Sequence, residues 1–115
     1  MPRVGSDTLY GTLNLLIMRT LSAGPAHGLD VARRIGAVSG DVLTVEEGAL
    51  YPALHRLERD GLVEAEWGVS EHNRRARFYQ LTSRGIDRLQ GETARWVRHA
   101  RAVGGVLGVL GDLGS

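Results

Sequence analysis

The sequence contains no cysteine and no lysine: all 14 of its positive charges are arginine, set against 13 carboxylates, for a formal net charge of only +1. Without cysteine, disulfides, thiolate zinc sites and cysteine nucleophiles are excluded. The near-neutral balance excludes a histone-like protein that works by bulk charge, so affinity for nucleic acid must come from where the arginines lie. No apolar run of signal-peptide or membrane-spanning type is present, because the longest one near the N-terminus is broken by Asn14, Arg19 and Thr20. These absences lead us to expect a cytoplasmic chain with no membrane partner.

Catalytic and metal-binding patterns are missing as well. The histidines at positions 27, 55, 72 and 99 form neither a His-x-x-x-His pair nor a His-Glu-x-x-His helix. No serine or threonine has the spacing of a nucleophile elbow, and the glycines form no phosphate loop. No catalytic residue, metal or cofactor is therefore expected.

What is present is a folded domain of ordinary composition, 115 residues long with 43% hydrophobic and 23% charged residues. Leu9, Leu13, Leu16, Ile17 and Leu21 recur at helical spacing between Asp7, a cap candidate, and Ala23, with Gly24-Pro25 as the stop. Val31, Ile35 and Val38, with Ala32, predict a short amphipathic helix from about Ala26 to Ser39. Leu50, Leu54 and Leu57, flanked by Ala53, define one face of a third helix between about Val45 and Asp60. Thr44 and Glu47 have capping-box spacing, with a start one or two residues later as the alternative, and Gly61 supplies a left-handed stop. Pro52 must then lie within the first two turns, with a local kink.

After Gly61 the period changes to two. A hairpin is expected, with strands near 62–67 and 75–81. Thr82 caps a last helix in which Ile86, Leu89, Thr93, Trp96, Ala100, Val103, Leu107 and Leu110 form a heptad seam. Five of the 16 glycines lie from Gly104 onward, so fraying is expected past Val103. The order helix, helix, helix, strand, strand, helix predicts a mainly α fold with a small β-hairpin, namely a winged helix-turn-helix over residues 1–81. Residues 82–115 then supply a dimerisation helix and a Gly-rich tail.

The stretches GTLNLLIMRTLSAGPAHG, EEGALYPALHRLERDGLVEAEWG and NRRARFYQLTSRG resemble the PadR family of bacterial transcriptional regulators, specifically its small branch with one long C-terminal helix. The resemblance implies a homodimeric repressor whose last helix, with the first, makes the dimer contacts. It also implies pseudo-palindromic promoter DNA as partner, released when a small-molecule effector binds. Two positions depart from the family pattern: Leu29 replaces the usual tyrosine after His-Gly, and Ala49 replaces the usual hydroxyl residue before Leu-Tyr. A winged-helix adaptor that binds protein and not DNA is the alternative reading.

With Leu50 and Leu54 facing inward, Pro52, His55, Arg56 and Arg59 point outward and Tyr51 lies on the flank. These are the candidate groove readers, since arginine offers guanine two parallel hydrogen bonds and tyrosine can contact phosphate or a thymine methyl. In the wing, Asn73, Arg74 and Arg75 are expected to reach the DNA backbone or minor groove, while Arg77 pairs across the hairpin with Glu64 or Glu66. The dimer contacts implied are Leu9 and Leu13 of the first helix with Ile86, Leu89, Thr93, Trp96, Ala100 and Val103 of the last. Trp96 is also the candidate platform for a planar effector.

Charge placement supports the wing. Residues 71–101 hold eight arginines and three carboxylates, whereas residues 1–70 hold six arginines against nine carboxylates.

Overall fold

The computed structural model describes residues 4–109. Four helices and three strands follow in the order α1 (Val4–Leu21), β1 (Ala26–His27), α2 (Gly28–Val38), α3 (Glu47–Arg59), β2 (Val63–Val69), β3 (Arg75–Leu81) and α4 (Ser83–Leu107). The fold is mainly helical with a small antiparallel sheet, a winged helix-turn-helix followed by one long helix.

The core forms where the helical stripes converge. Ile17 of α1, Val31 of α2, and Leu50, Leu54 and Leu57 of α3 are all sealed from solvent, joined by Val63 and Tyr79 of the sheet. Truncating one such leucine to alanine costs about 2–5 kcal/mol, so this packing fixes which face of α3 remains outside. Val38, expected on the buried stripe of α2, is 90% exposed because it lies at the helix's final residue, beyond the reach of the core.

Several boundaries differ from those expected from the sequence. Helix α1 begins at Val4, so Asp7 lies inside it and does not cap it. Residues Ala26 and His27 are not the first turn of α2. They form a third strand, pairing with Tyr79 and Phe78 in a sheet of order β1-β3-β2. The His27 side chain instead caps α2, its Nδ1 accepting the Asp30 N–H at 3.3 Å. Helix α3 has Glu46 at its N-cap with no side-chain cap bond, which leaves Thr44 outside the helix and the expected capping box unmade. The helix runs unbroken through Pro52, its sixth residue.

The stops are local and orderly. Gly61, at φ 76°, ends α3 with paired bonds from Gly61 N–H to Glu58 and from Leu62 N–H to Leu57. These bonds make a Schellman motif that turns Leu62 into the core and launches β2. Thr82 caps α4 by accepting the Gly85 N–H at 3.0 Å. Helix α4 does not fray at Val103; it continues to Leu107, where Gly108 at φ 79° closes the last turn onto Gly104 and Gly105. Leu110 lies outside the described residues. No described helix is long and apolar enough to cross a membrane.

Candidate nucleic-acid interface

The wing is shaped by its loop. Ser70 accepts the Asn73 N–H at 2.9 Å and donates its own N–H to Arg74 at 2.8 Å, while Asn73 adopts φ 57°. This is a three-residue hairpin loop ending in a left-handed residue, a conformation that asparagine tolerates better than most. It sets the register, which puts Trp67 opposite Arg77, Phe78 opposite Glu66 and Gln80 opposite Glu64.

That register overturns the expected partner of Arg77. Glu64 and Glu66 point to one face of the hairpin and Arg77 to the other. Arg77 instead donates from Nη2 to the Glu58 carboxylate of α3 at 2.9 Å. Glu64 accepts from Gln80 at 2.7 Å.

Behind the wing, the face of β2 and β3 that carries Arg77 looks across a groove of about 660 Å³ toward α2 and α3. Tyr51 and His55 line its helical wall, and Trp67, Arg74 and Arg75 line its wing wall. The Tyr51 ring packs so closely on the first residue of α2 that a Cβ on Gly28 would stand 2.9 Å from it. Tyr51 is therefore half-buried, and burial, aided by the Glu47 carboxylate, pushes its phenol above the ordinary value. It stays a hydrogen-bond donor at neutral pH. Leu29, one of the two departures noted in the sequence, also borders this groove.

Pro52, His55, Arg56 and Arg59 are exposed on the outer side of α3, as their spacing predicts. Arg59 lies 3.6 Å from Asp60, and Arg34 pairs with Asp30 at 2.8 Å. Arg56, Arg74 and Arg75 make no ion pair with another described residue. Three cations thus face outward from α3 and the wing without a carboxylate to neutralise them. Asn73 is exposed at the wing tip.

The candidates along α4 divide. Leu13 and Leu89 are buried in this chain's own core and present no free side chain. Ile86, Thr93, Trp96 and Val103 are exposed and Ala100 is half-exposed. The side chain of Leu9 lies outside the described residues. Trp96 is 46% exposed and borders a cleft of about 410 Å³ with Met18 and His99.

The profile of the PadR-like family of transcriptional regulators matches residues 17–91, which carry α2, α3, the sheet and the first third of α4. The chain belongs to the PadR-like family. Among its relatives, a PadR-like transcription factor from Bacteroides fragilis is 32% identical, with a TM-score of 0.69 over 90% of this chain and 97% of that one. A PadR family regulator from Eggerthella lenta is 28% identical, with a TM-score of 0.73 over 88% and 86% of the two chains. An uncharacterized protein of Lysinibacillus sphaericus is 26% identical over 93 residues, 81% of this chain and 85% of its own. As a PadR-like chain, this protein is a member of a family of regulators of transcription.

Sequence reasoning did not place Trp67 in the groove. The signal was available in the loop length, because a three-residue loop from Glu71 to Asn73 puts Trp67, Arg75 and Arg77 on one face.

Proposed function

We propose that this PadR-like chain is a repressor that binds pseudo-palindromic promoter DNA as a homodimer in the cytoplasm and releases it when a small effector binds. The observation that carries the reading is the groove between α3 and the wing, bordered by Tyr51 and His55 and by the unneutralised Arg74 and Arg75. Helix α3 would enter the major groove with His55, Arg56 and Arg59, while Asn73, Arg74 and Arg75 reach the backbone beside it. Tyr51, held as a donor against α2, suits a phosphate oxygen.

Residues 1–81 then act as the DNA-binding unit and 82–115 as the dimerisation unit. The exposed face of α4 that carries Ile86, Thr93, Trp96, Ala100 and Val103 supports self-association, since apolar side chains on a long helix gain by being covered. Leu9 is assigned to the same dimer contact from the family resemblance alone, while Leu13 and Leu89 are buried beneath the exposed face of α4. The cleft beside Trp96 is the site we assign to a planar effector.

The test is a duplex titration across salt concentrations. Two chains per duplex are expected, with half-sites ~34–36 Å apart along the helix axis. Replacing both Arg74 and Arg75 by alanine should weaken binding to every sequence and reduce the salt slope by roughly one for each phosphate no longer neutralised. An unchanged slope removes the wing from the interface, and no duplex binding at low salt favours a protein-binding adaptor.

A further inference from the structure

Trp67 is 58% exposed in the middle of the wing. Its register places it directly opposite Arg77 and diagonal to Arg75, all on one face. The Arg75 guanidinium carbon lies 4.4 Å from the indole centroid and that of Arg77 lies 5.9 Å away. Both distances are within the range of cation–π attraction. Arg77 is anchored in turn to Glu58 of α3. A continuous chain of side chains thus runs from the last turn of α3 through Arg77 and Trp67 to Arg75.

We propose that Trp67 is a DNA-backbone contact and the platform that presents Arg75 to it. The indole lies against the sugar–phosphate strand that occupies the groove, and Arg75, its guanidinium over the ring, donates to the neighbouring phosphate. This assignment rests on the DNA-binding reading above and adds a residue to it.

The physical basis is preorganisation. A free arginine loses much of its rotamer freedom on docking, whereas a guanidinium already resting on an indole has surrendered part of it beforehand. The ring gains too. Its exposed surface borders the same groove as Tyr51 and His55, so a strand seated there removes apolar area from water.

The chain has two tryptophans, so full-length protein labelled with 5-fluorotryptophan gives two fluorine resonances, and Trp67→Phe identifies one of them. Adding a mixed-sequence duplex at low salt should shift or broaden the Trp67 resonance. Trp67→Ala should weaken duplex binding about two- to fivefold and lower the salt slope by about one, reflecting the Arg75 phosphate interaction. Trp67→Phe, which keeps an aromatic face, should restore most of both. If Trp67→Ala does not fold, the resonance and the phenylalanine variant decide.

A duplex that binds while the Trp67 resonance stays in place overturns this assignment and leaves the DNA reading standing, as does a folded alanine variant with the wild-type slope. Wild-type protein that binds no duplex overturns both.

Discussion

The guanidinium of Arg77 on β3 donates to the carboxylate of Glu58 on α3 across 2.9 Å, tying the wing to the last turn of the helix beside it. Both side chains are about one-third exposed, at 34% and 32%, so the pair is only partly shielded from water. In a double-mutant cycle with Glu58→Gln and Arg77→Gln, urea unfolding should give a coupling of about 0.5–1 kcal/mol that shrinks as salt is added. Arg77→Gln should be the costlier single change, because it also removes the guanidinium from the Trp67 and Tyr79 rings. A coupling of zero would mean that wing and helix are positioned by packing alone.

Two glycines of α4 should respond in opposite ways. A Cβ on Gly85 would collide with the Leu62 carbonyl, which is backbone and has no room to yield, whereas one on Gly91 meets nothing within 4 Å. Gly85→Ala is expected to lower the melting temperature sharply, with a loss of about 2 kcal/mol or more from overpacking. Gly91→Ala should raise stability by up to about 1 kcal/mol through helix propensity. Thermal denaturation of both variants checks the pair, and a tolerated Gly85→Ala would contradict the close seating of α4 on the Leu62 carbonyl, just ahead of β2.

The loop at Asn73 gives a conformational test. Its φ of 57° suits glycine and asparagine, while alanine there costs about 1–2 kcal/mol. Asn73→Gly should keep wild-type stability, and Asn73→Ala should lose it. Duplex affinity separates the two roles considered for this residue: if Asn73→Gly also keeps affinity, the asparagine serves the turn and not a base or phosphate.

Alkaline pH should weaken the fold through Tyr51 and Tyr79. Burial raises both phenols above the ordinary value of 10.0, with Glu47 adding at Tyr51, while at Tyr79 Arg77 opposes the rise. A raised folded-state value means that the protonated form is preferred in the fold. The stability it contributes is fully present below about pH 10, the unfolded value, and is lost as pH climbs through the folded values. Urea midpoints should therefore hold steady from neutral pH to about pH 10 and fall above it. Replacing both tyrosines by phenylalanine should flatten that decline.

Much of the frame was legible in the chain because its causes are local. Leu50, Ala53, Leu54 and Leu57 share one face of any helix they form, so their joint burial follows from spacing. Gly61 and Thr82 act on bonds within their own turn, which is why the end of α3 and the start of α4 fall where their chemistry places them. The outward set Pro52, His55, Arg56 and Arg59 follows from the same periodicity, and the motif around Tyr51 pointed to the PadR-like family.

Tertiary structure decided what depends on distance across the fold. The two-residue strand β1 has no periodicity of its own and exists because β3 offers it a free edge. The choice of Glu58 for Arg77, over Glu64 and Glu66, required both the hairpin register and the approach of α3 to the sheet, 19 residues away along the chain. The exposure of Trp67 and the burial of Leu13 and Leu89 were likewise settled by which surfaces the other elements cover. Periodicity tells a residue's direction from its own backbone; only the packed neighbours determine whether anything stands there to meet it.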